Sequence, residues 1–133
     1  MKKLFMAAGI VLGVLGTSVP VVAHHAFAAE FDRKKPIMLV GTLSKVEWVN
    51  PHTWFLIAVT DAKGKVATWR VEGGAPNQLM RRGWNKDSLK LGDKVTVEGV
   101  AARSGEPIAN ATQIKTPDGK VFGAASSVNN ATN

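Results

Sequence analysis

The sequence contains no cysteine, which excludes disulfide bonds, thiolate metal sites and thiol catalysis. It also lacks the patterns of the common enzyme sites. There is no HExxH-type metal spacing, no phosphate-binding loop and no ordered serine, histidine and acid of a hydrolase triad. Histidine is scarce, with only His24, His25 and His52 present. These absences favour a binding or interaction protein over an enzyme.

Long apolar runs are also scarce, and the clearest one lies at the amino terminus. Residues 1–23 combine a basic start at Lys2 and Lys3, an apolar stretch from Leu4 to Gly16 and an end rich in small residues. This is the pattern of a secretory signal peptide. The apolar stretch, about 13 residues, is shorter than the roughly 20 that a membrane-spanning helix needs. We therefore expect a periplasmic or secreted protein with no membrane span after cleavage.

Two cleavage positions fit the preference of signal peptidase for small residues. A cut after Ala23 leaves His24 as the first residue, whereas a cut after Ala28 removes both neighbouring histidines. The first position lies closer to the end of the apolar stretch and is the one we favour. The mature chain is then a single small domain of about 110 residues.

Acidic residues are outnumbered, with 10 Asp and Glu against 17 Lys and Arg, a formal net charge of +7. Removal of Lys2 and Lys3 with the signal peptide leaves +5. The remaining bases are scattered, and their only clusters are Arg33–Lys35 and Arg81–Arg82. This distribution is typical of a solvated surface and does not predict nucleic-acid binding.

The first half of the mature chain has the composition of β-strands. Residues 37–49 form a long predicted strand in which Ile37, Leu39, Gly41 and Leu43 share a face. Val46 and Trp48 fall out of this alternation, and a bulge near Ser44–Lys45 would restore it. After a turn at Asn50–His52, residues 53–61 and 65–73 predict a hairpin with its turn at 62–64.

After residue 73 the spacing of the apolar residues changes from that of a strand to that of a short helix. Pro76 suits its first position, Leu79 and Met80 its apolar face, and Gly83 a left-handed cap followed by Trp84. Strands are predicted around Val95–Ala101 and Ile108–Ile114, with a short last pairing at Val121–Phe122. The predicted organisation is therefore a signal peptide over 1–23, an N-terminal arm over 24–36, a β-domain over 37–123 and a disordered tail over 124–133.

Three strands, a helix and two further strands are the order of an OB-fold, a five-stranded Greek-key barrel with its helix between strands three and four. This mainly β, OB-like barrel is the fold that we predict. An open β-sandwich is the alternative, but it offers the helix no natural place.

Four motifs together resemble a family of small exported bacterial proteins of uncharacterised function. They are HHAFAAEFD, VEWVNPHTWF, MRRGW and LKLGDKVTVEG, and the resemblance runs from about His24 to Val121. It implies export and a small OB-like domain. It implies no activity and no catalytic residues.

A metal site is one candidate function. If His24 is the first residue, its α-amine and ring Nδ1 can chelate one ion, and His52 or His25 can add a third nitrogen. Nitrogen ligation without sulfur favours copper among the divalent metals, with zinc as the alternative. Glu30 or Asp32 would assist. The competing interpretation is a flexible histidine end and a His52 that only completes a turn.

A ligand cleft is the other candidate. His52 lies between Pro51 and Trp54, and Trp48 and Trp69 are close in sequence. OB-folds hold bases or sugar rings on stacked aromatic side chains. We single out Trp54, His52 and Trp48 as ligand-binding candidates, with core packing as the alternative role of the tryptophans. Trp84 is assigned to the core.

The carboxylates do not suggest acid–base catalysis, because Glu30, Asp32, Glu47, Glu72 and Asp87 fall in different segments. The sequence therefore predicts an exported binding or interaction module whose partner is a small ligand, a glycan or an envelope protein. A periplasmic copper- or zinc-binding protein is the second hypothesis. A small enzyme built on that metal is a distant third.

Overall fold

The computed structural model describes residues 26–126, which form a mainly β domain. A short helical segment over 26–30 leads directly into the first strand. The remaining elements are β1 (Phe31–Glu47), β2 (Trp54–Thr60), β3 (Val66–Glu72), α1 (Pro76–Arg81), β4 (Lys94–Ala102), β5 (Ile108–Lys115) and β6 (Val121–Gly123).

The six strands belong to one sheet with the order β3-β2-β1-β4-β5-β6. Each neighbouring pair in this order is antiparallel. β3 also pairs with β5, in parallel, through Arg70–Ile108, Val71–Ala109 and Glu72–Asn110. Because of this extra pairing, the hydrogen bonds of β1 to β5 form a ring-like arrangement, and the sheet has an inner and an outer face.

The long first strand bends as predicted. Its pairing with β2 shifts between Leu43 and Lys45, so Ser44 is the extra residue of a bulge. The Ser44 hydroxyl donates to the carbonyl of Leu56 at 3.0 Å. Val46 and Trp48 thereby return to the inner face and pack against the core. The strand begins at Phe31 and not at Ile37, because Phe31 already pairs with Ala102 of β4.

The helix α1 has the predicted ends. Pro76 is its first residue, and at its other end Gly83 has a φ of 93°. The N–H of Gly83 donates to the Met80 carbonyl and that of Trp84 to the Leu79 carbonyl, both at 3.1 Å, a Schellman cap. Leu79 is fully buried, but the prediction of Met80 on the apolar face is wrong, since its side chain is 52% exposed. In so short a helix one residue reaches the core, and its successor points about 100° away.

The core fills the inner side of the ring. Trp84 lies in it, with its ring centroid 5.4 Å from Phe55 and 4.9 Å from Phe122. Its indole Nε1 donates to the Gly123 carbonyl at 2.8 Å, which ties β6 to the helix cap. The buried members of this cluster are Leu39, Leu43, Phe55, Ile57, Val71, Leu79, Trp84, Leu89, Val95, Val97, Ala109, Ala111, Ile114 and Ala124.

A second, smaller apolar cluster lies on the outer face of β4 and β5. Phe27 and Phe31 pack there against Ala102, with Val100 and Ile108 beside them. Strand alternation places Val100, Ala102 and Ile108 on the face opposite the inward-facing Ala109 and Ala111. The part of the predicted arm that the structure describes is therefore folded back onto the sheet.

The chain beyond β6 also lies against the domain for as far as the structure describes it. Ala124 and Ala125 are buried, although the predicted tail begins at residue 124. The Arg82 guanidinium donates to the Ala125 carbonyl at 2.6 Å, and the Ala124 N–H donates to the Thr112 carbonyl at 2.8 Å. Residues 127–133 lie outside the described part.

Candidate functional site

One row of residues crosses the outer face where the ring closes. Trp54 on β2 is the direct partner of Glu72 on β3, and Glu72 is the direct partner of Asn110 on β5. Directly paired residues point to the same side of a sheet. Since Phe55, Val71 and Ala109 belong to the inner core, this row must lie on the outer face.

Two polar members of the row are nevertheless buried. Glu72 is 5% exposed and Asn110 is fully inaccessible. The Asn110 amide Nδ2 donates to Glu72 Oε1 at 3.0 Å and lies 2.6 Å from the Ser126 hydroxyl. Burial is the main cause that raises the pKa of Glu72. His52 opposes this rise, the negative charge of Glu30 adds to it, and the hydrogen bonds from Ser126 and Asn110 reduce it.

His52 completes the cluster from the loop between β1 and β2. This loop contains the cis peptide Asn50–Pro51, and His52 Nδ1 lies 3.7 Å from Glu72 Oε1. That distance is too long for a hydrogen bond. His52 Nδ1 is inaccessible to solvent and has no hydrogen-bond partner in the described part of the chain. We call His52, Glu72, Asn110 and Ser126 the polar cluster.

Unpartnered buried atoms are the most informative feature of this region. Within residues 26–126, three buried side-chain atoms lack a partner: His52 Nδ1, Asn110 Oδ1 and Thr53 Oγ1. The first two belong to side chains that surround Glu72, and Thr53 adjoins His52 in sequence. An unsatisfied buried polar atom costs about 1–3 kcal/mol. Two of these three atoms lie around one buried carboxylate.

Trp54 extends the row toward solvent. It is half-buried, and the guanidinium of Arg70 lies 4.5 Å from the centroid of its ring. Arg70 is two residues before Glu72 on β3 and shares the outer face. The arginine therefore already covers part of the aromatic surface that the sequence suggests for stacking.

The structure divides the tryptophans between the two faces. Trp48 packs on the inner side, edge-on to Trp84 with ring centroids 6.4 Å apart. Trp69 also packs against the inner core. Of the three predicted ligand residues, His52 and Trp54 are thus brought to the polar cluster, whereas Trp48 lies across the sheet from it.

The N-terminal segment reaches the same outer face. The Arg103 side chain donates from Nε to the Ala28 carbonyl at 2.7 Å, and the Arg103 N–H donates to the Glu30 carbonyl at 2.8 Å. Val100 and Ile108, which pack beside Phe27 and Phe31, flank Asn110 in the β4–β5 pairing. His24 and His25, two of the three predicted metal ligands, lie outside the described residues. Between 26 and 126 no three His, Cys, Asp or Glu side chains come together as a metal site.

Another cavity lies away from the polar cluster. It has a volume of about 600 Å³ and is lined by loop residues that include Asn85, Asp87 and Lys120. One of its acidic groups, Asp118, is already engaged, because the Thr116 hydroxyl donates to it and Lys120 Nζ lies 3.6 Å from its Oδ2. The hydrogen bond from Thr116 is the main cause that lowers the pKa of Asp118. None of the three residues with unpartnered buried atoms in the described range lines this cavity, so it is a weaker candidate.

Sequence reasoning missed Glu72 and Asn110. Glu72 is one of five carboxylates that the sequence shows as unrelated, and Asn110 stands in a plain run of strand residues. No local signal marks Glu72, because strand alternation places it on the face opposite the buried Val71. Nothing local signals Asn110, because only the parallel pairing of β3 with β5 brings it to Glu72.

By its fold the protein is a small, mainly β domain with one ring-like sheet, and it has a buried polar cluster on the outer face of that sheet. Residues 11–111 match the model of a family of unknown function, DUF6152, and the chain belongs to that family. No curated protein and no solved structure matches the chain. In residues 26–126, no helix is both long and apolar enough to cross a membrane.

Proposed function

We propose that this protein is an exported binding module, built as an OB-like barrel, that holds a positively charged ligand at the polar cluster. The strand pairing supports the OB-like assignment. β1 to β3 form a meander, α1 stands between β3 and β4, and β5 pairs with both β4 and β3. A five-stranded Greek-key barrel has this connectivity. The short β6 extends it.

The position of the cluster supports the binding role. OB-folds take their ligands on the face of strands two and three, beside the loops that follow strands one and four. Trp54 and Glu72 stand on β2 and β3, and His52 belongs to the loop after β1. This is the location that OB-folds use for recognition, which supports the binding role.

One observation supports a positive charge on the ligand: the Glu72 carboxylate is buried without a Lys or Arg partner among the described residues. Its carboxylate is buried beside one amide, one hydroxyl and an imidazole, and within residues 26–126 no Lys or Arg lies within ion-pair distance of it. Buried carboxylates are normally paired. The unpartnered Asn110 Oδ1 is a further acceptor. A cation would pair with both the Glu72 carboxylate and the Asn110 Oδ1 atom.

The chemistry favours a small ligand over a glycan. A sugar ring needs an open aromatic face, and Arg70 already lies over Trp54. Export is the other half of the proposal and depends on the signal-peptide pattern of residues 1–23. Mass spectrometry of the protein recovered from the cell envelope tests it. A mature amino terminus at His24 or Ala29 supports export, and an intact Met1 contradicts it.

The ligand test uses two probes of different chemistry on the mature chain, an organic ammonium (methylammonium or n-butylammonium) and the metal ions Cu²⁺ and Zn²⁺. Binding is followed by calorimetry and by amide NMR shifts near Glu72. We expect at least one probe to bind the wild-type chain and to lose that binding in Glu72→Gln. Glu98→Gln is the matched control, since Glu98 is exposed and hydrogen-bonded to Gln113. If neither probe binds, or if Glu72→Gln binds as well as wild type, the proposal is wrong.

A further inference from the structure

We infer that the cation held at the polar cluster is a primary alkylammonium group. Its three N–H bonds donate to the Glu72 carboxylate, Asn110 Oδ1 and His52 Nδ1. Its alkyl chain leaves the cluster along Trp54. This inference rests on the proposed function and names the chemical class of its ligand.

Three acceptors meet around Glu72. Its carboxylate is buried, and no Lys or Arg of residues 26–126 lies within ion-pair distance of it. Asn110 Oδ1 and His52 Nδ1 are buried atoms without a hydrogen-bond partner. The neutral imidazole can carry its proton on Nε2, and Nδ1 is then an acceptor. A primary ammonium group has three N–H donors and no acceptor, so its donors equal these acceptors in number.

The acceptors lie close enough to share one ammonium nitrogen. Hydrogen bonds of about 2.9 Å at the tetrahedral angle place two acceptors of one ammonium group roughly 4.7 Å apart. Asn110 Nδ2 is 3.0 Å from Glu72 Oε1, so the amide bond lengths keep Asn110 Oδ1 within about 5.6 Å of that oxygen. His52 Nδ1 is 3.7 Å from the same oxygen, and a small rotation of the half-buried His52 side chain widens that distance.

The same set of acceptors disfavours other cations. A quaternary ammonium has no N–H bond, so it would leave Asn110 Oδ1 and His52 Nδ1 unpartnered. A hard cation such as Mg²⁺ or Ca²⁺ takes oxygen ligands and would not use the imidazole. A transition-metal ion needs at least three protein ligands, and residues 26–126 bring together no three His, Cys, Asp or Glu side chains. A primary ammonium uses all three acceptors.

Trp54 supplies an apolar wall beside the acceptors. It is the direct partner of Glu72, and the Cβ atoms of such partners lie about 4.5–5.5 Å apart on one face of a sheet. Its ring is half-buried and therefore reachable from solvent. The Arg70 guanidinium lies 4.5 Å from the ring centroid, so this indole already accommodates a cation. An alkyl chain is narrower than a sugar ring and can use the part of the indole that Arg70 leaves free.

The experiment titrates methylammonium, n-butylammonium and tetramethylammonium into the full mature chain at constant ionic strength, followed by calorimetry and tryptophan fluorescence. We expect n-butylammonium to bind at least about threefold more tightly than methylammonium, because its methylenes are buried against Trp54. Tetramethylammonium should bind at least about tenfold more weakly than n-butylammonium, because it donates no hydrogen bond. Nα-acetyl-lysine methylamide distinguishes the two sources of the group. Binding as tight as that of n-butylammonium indicates a lysine side chain, and weaker binding indicates a free amine.

Variants assign the contacts one by one. Glu72→Gln and His52→Ala should each weaken n-butylammonium binding at least about fivefold, and Glu98→Gln should bind as wild type does. Trp54→Ala should remove the preference for n-butylammonium over methylammonium. His52 and Trp54 are half-buried, so their alanine variants should remain folded, and circular dichroism verifies this.

The outcomes separate this inference from the proposed function. If tetramethylammonium binds as tightly as n-butylammonium, or if His52→Ala leaves n-butylammonium binding unchanged, the inference is wrong. If Cu²⁺ or Zn²⁺ binds through Glu72 while no primary amine does, the inference fails and the proposed function stands. If no probe binds, both fail.

Discussion

Asn110 on β5 donates its side-chain amide to Glu72 on β3 at 3.0 Å, and the same two residues are backbone partners in the parallel pairing of these strands. The pairing that makes the sheet ring-like therefore also assembles the polar cluster. If β3 and β5 separated, the ring-like sheet and the polar cluster would be lost together. The stability of the domain and the geometry of its candidate site are consequently coupled.

Replacement of Glu72 by glutamine should stabilise the metal-free domain at neutral pH. Burial raises the pKa of Glu72 above its value in the unfolded chain, so the folded protein retains this proton to higher pH. The favourable contribution is complete at a pH below the ordinary Glu range and is lost as the pH rises through the raised pKa. Above it, the buried carboxylate carries its full desolvation cost. Glutamine avoids that cost and keeps an oxygen for Asn110.

Thermal unfolding in the presence of a chelator, from pH 4 to pH 8, measures this difference. The melting temperature of Glu72→Gln should exceed that of wild type at pH 8, and the gap should shrink toward pH 4. His52 and Glu30 are the other titratable groups that act on Glu72, and both are retained in the variant. A gap that is constant with pH, or that widens toward pH 4, would show that the carboxylate is not penalised by burial.

Gly99 should tolerate no side chain. A Cβ built at this position would collide with the backbone carbonyl of Asn110, at the irregularity between β4 and β5. Overpacking of this kind costs about 1–3 kcal/mol. We expect Gly99→Ala to lower the unfolding free energy by about 2 kcal/mol in urea titrations.

Gly123→Ala is the control for this change. Gly123 is exposed on β6, and a Cβ there meets no atom within 4 Å. Its unfolding free energy should stay within about 0.5 kcal/mol of wild type. Equal losses in the two variants would mean that the loss in Gly99→Ala does not come from the contact with Asn110, because the reduced chain entropy of alanine would by itself stabilise both variants.

Much of the fold could be predicted because its signals are local. The bulge at Ser44 follows from a broken alternation, and the ends of α1 follow from Pro76 and Gly83. The start of β1 at Phe31 could not be predicted in the same way, because polar residues 32–35 follow it and its pairing partner Ala102 is distant in sequence. Local patterns therefore determined the elements but not every boundary.

The candidate site was predicted in part for the same reason. His52 and Trp54 stand out beside a proline turn, and both lie at the polar cluster. Trp48 is equally conspicuous in sequence, but the bulge at Ser44 places it on the inner face with Trp84. Glu72 and Asn110 acquire their significance only through a pairing between strands that are far apart in sequence.

Trp84 should contribute more to stability than its apolar surface alone provides. Its Nε1 donates to the Gly123 carbonyl at 2.8 Å and it contacts Phe55 and Phe122. Trp84→Phe removes this hydrogen bond, leaves the Gly123 carbonyl without its donor and creates a cavity. We therefore expect the free energy of unfolding, measured by urea titration, to fall by about 2–3 kcal/mol. Trp69→Phe, at a half-buried position, should lose less than half as much. Similar losses in the two variants would assign Trp84 a packing role only.

Arg103 should hold the N-terminal segment against the sheet. Its Nε donates to the Ala28 carbonyl at 2.7 Å, and its Nη1 lies 3.7 Å from Asp32 Oδ2. Arg103→Ala removes both contacts but keeps the backbone hydrogen bond to Glu30. We expect hydrogen exchange of the amides in 26–32 to accelerate at least about fivefold, since a lost hydrogen bond of about 1 kcal/mol favours local opening by that factor. Exchange in β2 and β3 should not change.

Lys115→Ala is the matched control for Arg103→Ala, because Lys115 is an exposed base on β5 whose strand partners are Thr96 and Val121. Its exchange pattern should equal that of wild type. The burial of Phe27 and Phe31 offers a competing cause for the order of the segment. If Arg103→Ala leaves exchange in 26–32 unchanged while Phe27→Ala accelerates it, the apolar cluster alone holds the segment. In that case Arg103 does not determine the position of the N-terminal segment 26–32.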